Sequence, residues 1–467
     1  MFLYFLFSQH LFKMSLCKSR FLLYFKNMSV KMKIPLKIFL FFVFFFLLSV
    51  CASFFFRDDS NSYARALFHE FYAQERIDYL ICGASHVSHG VEANTAGGRF
   101  GKTLFNTGTP SQKIDGTYAI LRQALKLYKI EKVFLELDFA VACAPAFSER
   151  TGLTSEYIVS ENLRDFGVKY DFLLHCSAPS HYLNSFLPIG KDKLITLNPK
   201  KIARKLASVA DGSYFEYSYH DDGSEYAGRG CVLDFEEIPD GGFSDYKLES
   251  AIPVERVSDD WKGTVEKIIS LCRENGVELI FYAMPNSDFY LNQKGNYDSY
   301  YAFCKSFINE RGFAYYDFNL AKPELLSLSD SDYHDDNHLS KKGVYKWTDV
   351  FCDFFSEKYK EENVIENCFY PSYAEKMKDV GDRVFGLYMI ESGDKKTLEI
   401  TPVTNLEDSS RITYDVYAIS GGEETVLAKD SGSTTVNLPL GKSGKIRVVS
   451  YLDGIKQNDC MENFAAF

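Results

Sequence analysis

Short apolar runs that stop at glycine or polar residues alternate with longer segments of helical periodicity over most of the chain. Such runs are typical of buried parallel strands, and the segments between them are typical of helices that cover a sheet. The pattern predicts an α/β fold with helices on both faces of a parallel sheet. The predicted strands are residues 77–82, 103–108, 132–142, 277–285 and 313–318. The predicted helices are residues 61–76, 112–128, 161–174, 199–208, 260–275, 300–311 and 340–359.

Two stretches depart from this pattern. Residues 143–256 alternate helical pieces with loops rich in Tyr, Gly and Asp, which indicates an insertion that covers or shapes a substrate groove. Beyond about residue 366, alternating runs are separated by Gly, Asp and Ser turns, and no helical segment is evident. Roughly five or six strands at this spacing predict a small antiparallel β-sandwich. Because its sequence contains no catalytic cluster, we interpret it as a binding or spacing module.

The N-terminal part of the chain is apolar and basic. Residues 38–56 carry no charge, and seven Lys or Arg precede them, whereas only Arg57 follows closely. This stretch is long enough to cross a bilayer as a helix, and the positive-inside rule puts the N-terminus in the cytoplasm and the body outside. A cleaved signal peptide is the alternative. Polar residues interrupt the first 27 positions, so Met28 or Met32 is an alternative start.

These features together predict how the 467 residues are organised. We expect a cytoplasmic segment over residues 1–37 and a transmembrane anchor over 38–56. An α/β domain over 60–363 contains the insertion at about 143–256. The β module covers residues 366–467. The protein is thus expected to be a single-pass membrane protein with an extracytoplasmic body.

The composition excludes some functions. Asp and Glu outnumber Lys and Arg by 63 to 52, and no acidic residue precedes Asp58, so the body beyond the anchor is acidic. An acidic body is a poor partner for nucleic acid. The eleven cysteines are scattered, with no C-x-x-C pair and no His/Cys cluster at metal-ligand spacing. We therefore expect neither a metal nor another cofactor, and the cysteine spacings indicate no disulfide pairing.

The first candidate for chemistry is Ser85, which follows the predicted strand 77–82 in the stretch IDYLICGASH. In doubly wound α/β folds, ligands bind beyond the carboxyl ends of the strands. A serine at this position is exposed to a crevice and has the first backbone amides of the next element behind it. It is well placed for a nucleophile. The alternative is a turn of small residues with no chemical role.

A second polar stretch, DYHDDNHLSKKG at residues 332–343, precedes the last predicted helix. His338 lies three residues after Asp335, so the carboxylate can hold one ring nitrogen while the other faces a hydroxyl. That arrangement would give Ser85 a general base. Asp336 is only two residues before the histidine and is expected to point away. A polar helix entry with a surface histidine is the alternative interpretation.

In these two places the chain resembles the SGNH/GDSL hydrolase superfamily. A Gly-x-Ser turn follows the first strand, and Asp-x-x-His precedes the last helix. The segments IDYLICGASHVSHG, FNTGTPSQ and DDNHLSKKGVYKW resemble more closely the envelope-anchored branch with DltD-like and alginate O-acetylation-type proteins. The resemblance spans roughly residues 77–355 without the insertion. It implies a flavodoxin-like three-layer fold, with Ser85 as nucleophile, His338 as base and Asp335 as its orienting partner.

The chain departs from the family pattern in the residues that stabilise the transition state. The first motif is Gly-Ala-Ser-His rather than Gly-Asp-Ser, and the Gly-x-Asn-Asp block is missing. An oxyanion hole needs hydrogen-bond donors aimed at the tetrahedral oxygen. We expect the backbone amides of Ser85 and Gly108 and the side chain of Asn106 to supply them, with Asn286 as a weaker candidate. Asp138, after the third predicted strand, cannot donate unless it is protonated.

Two classes of function follow from these observations. The first is a serine esterase or O-acyltransferase, because the resemblance implies a site that transfers or hydrolyses acyl esters on cell-surface polymers. The second is a non-catalytic membrane-tethered factor that binds carbohydrate or assists envelope assembly. The expected partners are an acylated envelope glycan or polymer and the membrane, and a membrane acyl-donor protein is a further candidate. The acyl group and its acceptor stay open at this point.

Overall fold

The computed structural model describes residues 30–144, 153–221, 223–247, 253–356, 367–393, 395–439 and 444–464. The chain divides into two compact units. One contains the chain up to Asp58 together with Leu183–Ala207. The other contains Asp59–Tyr182 and Ser208–Phe467.

The helices of the described residues follow the predicted order with several additions. They are α1 (Val30–Phe56), α2 (Tyr63–Phe71), α3 (Ser85–Ser88), α4 (Ala93–Phe100), α5 (Ile114–Leu127), α6 (Phe139–Ala142), α7 (Thr154–Asn162), α8 (Phe166–Cys176), α9 (Tyr182–Phe186), α10 (Pro199–Asp211), α11 (Asp259–Glu274), α12 (Asp288–Lys294), α13 (Tyr297–Asn309), α14 (Lys341–Phe355) and α15 (Tyr373–Val380).

The strands belong to a central sheet, a small hairpin sheet and a C-terminal pair of sheets. They are β1 (Tyr79–Cys82), β2 (Leu104–Asn106), β3 (Lys132–Glu136), β4 (His220–Asp221), β5 (Ser224–Gly228), β6 (Cys231–Asp234), β7 (Ser244–Asp245), β8 (Glu278–Ala283), β9 (Tyr315–Asp317), β10 (Val384–Glu391), β11 (Thr397–Thr404), β12 (Ile412–Ser420), β13 (Glu423–Ser431), β14 (Thr435–Asn437), β15 (Gly444–Leu452) and β16 (Ile455–Phe464).

The central sheet has five strands in the order β2-β1-β3-β8-β9, and every pair is parallel. Ile81 of β1 is in register with Asn106 of β2 on one side and with Phe134 of β3 on the other. The strands are buried on both faces, which explains their nearly continuous apolar sequences. The predicted α/β fold with a parallel sheet is therefore confirmed.

One core joins this sheet to the last helix of the α/β domain. Trp347 and Phe351 of α14 are fully buried, and the ring of Phe351 lies 4.9 Å from that of Phe134 on β3. Side chains at helical spacing thus cover one face of the sheet. This packing places the start of α14, and the loop before it, at the carboxyl ends of the strands.

The C-terminal module consists of two four-stranded sheets, β14-β11-β10-β7 and β13-β12-β15-β16. Their facing side chains, including Leu387, Ile400, Val416 and Val448, form a single apolar cluster. Strand β7 comes from the predicted insertion, not from the C-terminal sequence, and it pairs in parallel with β10. The insertion therefore contributes a strand to the module, which the sequence pattern did not predict.

Several predicted elements differ from those observed. The strand predicted over 132–142 ends at Glu136, because Asp138 accepts a hydrogen bond from the Val141 N–H and caps the short helix α6. The helix predicted over 161–174 is replaced by α7 and α8, which are separated at Leu163. The helices α4 and α12 were not predicted. The expectation of a module without helices was also wrong, since α15 lies at its start.

Helix α1 is the membrane candidate. Its segment Ile34–Phe56 is 23 residues long, contains an 18-residue window with a mean hydropathy of 2.7, and is by length and composition able to cross a bilayer. A helix of this length spans roughly 35 Å, compared with about 30 Å for a hydrocarbon core. The anchor predicted over 38–56 lies within this helix. The cytoplasmic segment predicted before it lies mostly outside the described residues.

Candidate active site

Ser85 is the first residue of α3 and follows β1 after the two-residue turn Gly83-Ala84. A Cβ atom on Gly83 would lie 2.5 Å from Glu136 Oε2 and 2.8 Å from Val87 Cγ1, so any larger residue would force these side chains to move. From β1 the chain passes to β2 on one side and then to β3 on the other side of β1. The strand order therefore reverses beside β1, which makes the carboxyl end of this strand a topological switch point. The turn thus puts the serine hydroxyl in the crevice where such folds bind ligands.

The loop before α14 presents His338. Tyr333 and Leu339 form an isolated antiparallel bridge, and the His334 N–H donates to the His338 carbonyl at 2.9 Å, so the loop is closed at its base. Ser340 caps the N-terminus of α14 by accepting a hydrogen bond from the Gly343 N–H. These short-range contacts fix the backbone of the loop that carries His338.

Ser85, His338 and Asp335 form a continuous hydrogen-bonded chain. His338 Nε2 lies 2.9 Å from Ser85 Oγ, and His338 Nδ1 lies 2.8 Å from Asp335 Oδ2. The other oxygen of Asp335 accepts from the backbone N–H groups of Asn337 and His338 at 3.0 and 2.7 Å. The structure brings together all three side chains that the sequence singled out.

The surroundings keep Asp335 ionised. Burial acts to raise the pKa of Asp335, but the hydrogen bond and charge of His338, together with the two backbone N–H donors, outweigh it and lower the pKa well below its ordinary value. An ionised carboxylate at Nδ1 fixes the tautomer in which Nε2 accepts a proton from the serine hydroxyl. The arrangement therefore has the polarity that a nucleophilic serine requires.

The neighbouring acids do not contact His338. Asp336 accepts a hydrogen bond from Gln293 Nε2 at 2.7 Å, and burial and the charge of Asp335 raise its pKa. Asp332 is fully buried and bonds to Ser329 and Lys346. Asp336 thus holds the loop against α12, and Asp332 holds it against α14. The structure pairs the imidazole with Asp335 alone among the three acids.

Two of the predicted oxyanion donors are occupied elsewhere. Asn106 is completely buried, donates through Nδ2 to the Val87 carbonyl, and accepts the Gly108 N–H at 3.0 Å through Oδ1. Gly108 packs against the turn Gly83-Ala84 so closely that a Cβ atom there would lie 2.2 Å from the Ala84 carbonyl oxygen. The Gly108 N–H is thus paired within the fold, and one of the two Asn106 amide hydrogens is in use, so the oxyanion roles of these two residues stay predictions. Both hold the turn that carries Ser85.

The remaining predicted donors differ in access. Ser85 is the first residue of α3, so its backbone N–H has no acceptor within the helix. Asn286 is 7% exposed, and its Nδ2 lies 3.3 Å from the Met284 carbonyl and 3.2 Å from Asn319 Oδ1. The Ser85 amide is thus the predicted donor that the fold leaves available.

A second histidine faces the same place. His89 Nδ1 lies 2.6 Å from Asp234 Oδ2, and the His89 ring centroid lies 5.0 Å from that of His338. Burial lowers the pKa of His89 despite the acid beside it. Sequence reasoning missed this pair. The spacing of four residues between Ser85 and His89 could have indicated that the two side chains lie on the same side of a helix. No local sequence feature marks Asp234, which ends β6 in the insertion.

A buried cluster of His86, Glu136 and Asp138 lies beside His338, with the His86 ring centroid 5.5 Å from that of His338. His86 Nδ1 is 3.2 Å from Glu136 Oε1 and 3.1 Å from Asp138 Oδ2. Burial acts to lower the pKa of His86, but the two carboxylates raise it well above its ordinary value. Burial raises the pKa of Glu136, whereas His86 overcomes burial at Asp138 and lowers the pKa of that acid. A protonated His86 shared by two acids accounts for these distances.

The same cluster is the one place in the described ranges where three potential metal ligands converge. The nitrogen and the two carboxylate oxygens lie within 4.8 Å of one another. These are ligand types that bind zinc and other divalent cations. Because the nitrogen–oxygen distances are those of hydrogen bonds, a proton on His86 Nδ1 accounts for both contacts without a metal. Among the described residues, His86 Nε2 and Glu136 Oε2 have no hydrogen-bond partner although both atoms are buried.

The geometry can support nucleophilic attack by a serine, with proton transfer through a histidine oriented by a carboxylate. No protein-family model matches the sequence, and no curated protein matches it.

Proposed function

We propose that the protein is a serine esterase or O-acyltransferase that acts on acyl esters of a cell-envelope glycan or polymer. The observation that carries this proposal is the pair of distances around His338, 2.9 Å to Ser85 Oγ and 2.8 Å to Asp335 Oδ2. Three side chains, one at the start of α3 and two in the loop before α14, meet in the order nucleophile, base and orienting acid. A purely structural hydrogen-bond network would not require a partly exposed serine at its end.

The residues define the steps of the reaction. Ser85 Oγ attacks the ester carbonyl while its proton passes to His338 Nε2, and Asp335 stabilises the imidazolium. The tetrahedral oxygen accepts a hydrogen bond from the Ser85 backbone N–H. Collapse breaks the ester bond, and the imidazolium protonates the leaving alcohol. In the second half, His338 deprotonates water or an acceptor hydroxyl, which attacks the acyl-serine carbonyl. The bond between the acyl carbon and Ser85 Oγ then breaks, and the His338 imidazolium returns the proton to Ser85 Oγ.

The fold is consistent with the SGNH/GDSL resemblance. The strand order β2-β1-β3-β8-β9 corresponds to the order 2-1-3-4-5 of flavodoxin-like folds, which bind ligands at the switch point next to the first strand. Ser85 follows that strand. We therefore propose that the α/β domain is a flavodoxin-like domain of this superfamily, related to its envelope-anchored branch.

The proposed location is the outer face of the cytoplasmic membrane. It is supported by the apolar helix Ile34–Phe56 and by the excess of Lys and Arg before it. An extracytoplasmic body would meet envelope polymers directly. A reporter fused after Phe467 tests this: activity of a periplasmic or extracellular type of reporter supports the proposed topology, and activity of a cytoplasmic type contradicts it.

Covalent labelling tests the proposed chemistry. A fluorophosphonate probe should label the intact chain, and Ser85→Ala should lose the label completely. Ser88→Ala is a matched control, because Ser88 lies on the same short helix but donates to the Ser85 carbonyl. Labelling that persists in Ser85→Ala while the protein stays folded would remove the enzyme proposal.

A second candidate function is glycan binding without catalysis. A cavity of about 780 Å³ lies between the carboxyl end of β8 and the β module, lined in part by Ser287, Asp288, Asn319, Arg383 and Tyr370. Such polar and aromatic side chains suit a sugar. None of Ser85, His338 and Asp335 lines this cavity. If Ser85→Ala retains the protein's full effect on envelope acylation, this function replaces the enzymatic one.

A further inference from the structure

The helix α10 has two chemically different faces. At about 100° per residue, Ile202, Ala203 and Leu206 fall on one side, and Lys200 and Arg204 fall on the other. Amphipathic helices that lie in the plane of a bilayer surface typically have one basic and one apolar face. Its place in the fold decides whether a bilayer is within reach.

This helix belongs to the same compact unit as α1, the membrane candidate. Lys205 Nζ donates to the Arg57 carbonyl at 2.9 Å and lies 5.2 Å from the centre of the Phe54 ring. Lys201 Nζ is 2.6 Å from Asp58 Oδ2. The first turns of α10 are therefore fixed at the C-terminal end of α1.

The chain before α10 is attached to the same end. The Asp58 N–H donates to the Leu194 carbonyl, and the Thr196 N–H donates to the Phe56 carbonyl, both at 2.8 Å. Arg57 and Ile195 form an antiparallel bridge. If α1 spans a bilayer, its end lies at the lipid–water boundary. Residues 183–207 must then lie at that boundary as well.

Large apolar side chains of this unit face outward. Leu183 is 75% exposed, Leu197 80% and Leu206 42%. The buried residue of α10 is Lys205, whose stem packs towards α1 while its charge reaches a backbone carbonyl. Helix α10 thus buries one lysine, Lys205, while its Leu206 faces outward. An outward leucine is expected if that side of the helix meets lipid.

We infer that residues 183–207 form a collar around the end of α1 that binds the bilayer surface. Leu183, Leu197 and Leu206 enter the interfacial region, and Lys200 and Arg204 contact the phosphates of anionic lipid headgroups. Neither of these two basic residues has an ion-pair partner within the described part of the chain. The collar does not depend on the chemistry of Ser85.

Fluorescence quenching in vesicles tests the collar. The full chain, with Cys17, Cys51 and Cys368 replaced by Ser, is reconstituted in vesicles of phosphatidylcholine and phosphatidylglycerol. A thiol-reactive fluorophore is attached at Leu206→Cys or, as the matched control, at Arg204→Cys, which points to the opposite side of α10. A nitroxide on the lipid acyl chain should quench the Leu206 probe strongly, and iodide in the buffer should quench the Arg204 probe more.

Each outcome decides the matter. Equal access of iodide to both probes would place α10 in water and overturn the inference. A Leu206 probe protected from both quenchers would place this face against protein and overturn it too. Protection from iodide together with quenching by the lipid supports the collar, whether or not the protein has esterase activity.

The lipid composition tests the basic face. If the collar is correct, nitroxide on phosphatidylglycerol should quench the Leu206 probe more than the same nitroxide on phosphatidylcholine. Lys200→Gln and Arg204→Gln should each reduce this preference, by up to about fivefold. Glu216→Gln, on an exposed residue outside the collar, is the control and should leave it unchanged. A preference that survives both collar substitutions would contradict the headgroup contacts.

Discussion

His338 Nε2 lies 2.9 Å from Ser85 Oγ, although 253 residues separate the two in the chain. Each residue is held by its own local structure, the serine by the turn after β1 and the histidine by the closed loop before α14. Neither therefore depends on the other for its position. Removing one side chain should remove the chemistry and leave the fold.

The first prediction concerns the three residues of this chain. Ser85→Ala and His338→Ala should each abolish ester cleavage or transfer, because nucleophile and base are both indispensable. Asp335→Asn should lower turnover by about two to four orders of magnitude, since it loses the charge that stabilises the imidazolium. Turnover of a chromogenic acetyl ester measures this, with circular dichroism as a check on folding. Full activity in Ser85→Ala would exclude the proposed mechanism.

The second prediction separates the two adjacent acids. Asp336→Asn removes the same charge one residue away, but Asp336 bonds to Gln293 and not to His338. Its turnover should stay near that of the wild type. The measurement is the ratio of the turnover numbers of Asp336→Asn and Asp335→Asn. If Asp336→Asn were inactive and Asp335→Asn active, the assignment of the orienting role to Asp335 would be wrong.

The third prediction concerns Asn106. Asn106→Ala leaves the buried Gly108 N–H without its acceptor and removes one of three donors to the Val87 carbonyl, so the free energy of unfolding should fall by about 1–3 kcal/mol. Turnover per folded molecule should fall by less than the two to three orders of magnitude that loss of an oxyanion donor causes. Urea unfolding and active-site titration measure the two effects. A large loss of turnover at unchanged stability would support the oxyanion role.

The fourth prediction concerns the buried His86 cluster. Because its pKa is raised in the fold, protonated His86 stabilises the protein fully below about pH 6.5, and this contribution falls as pH rises through the folded pKa. The lowered pKa of Asp138 gives a contribution that is present above about pH 4 and is lost as pH falls through its folded pKa. Asp138→Asn should therefore destabilise the protein most between these values.

Unfolding by urea across pH 4 to 9 measures this difference in free energy. Asparagine can still accept the Val141 N–H, so the cap of α6 is kept and the charge alone is removed. The difference between wild type and variant should shrink towards pH 9. A difference that is constant over the whole range would mean that His86 is not protonated in the fold.

The fifth prediction concerns the turn Gly83-Ala84. In Gly83→Ala the new methyl group would meet Glu136 Oε2 and Val87 at 2.5 and 2.8 Å. We expect a loss of about 1–3 kcal/mol in the free energy of unfolding, because overpacking forces the neighbours to move. Gly98→Ala is the control, since open space surrounds that position. Equal stability of the two variants would show that the turn is less tightly packed.

The sequence by itself determined the features that arise from neighbouring residues. Alternation and helical periodicity located the strands of the central sheet and the helix α14, because burial of one face repeats with the period of the element. The spacing of Asp335 and His338 was readable for a similar reason, since a contact within one turn needs only local geometry. The glycine before Ser85 likewise marked the turn.

Only the tertiary structure decided the contacts between distant segments. Asp234 contacts His89 although 145 residues separate them in the chain, and Ser244 pairs with a strand of the β module. No local sequence pattern indicates either partner. Asn106 follows a strand in the manner of a catalytic donor, yet packing buries it behind the turn. Residues 183–207 lie in the middle of the chain but pair with the end of α1. Pairings of this kind depend on the free energy of the whole fold, to which local propensity contributes only in part.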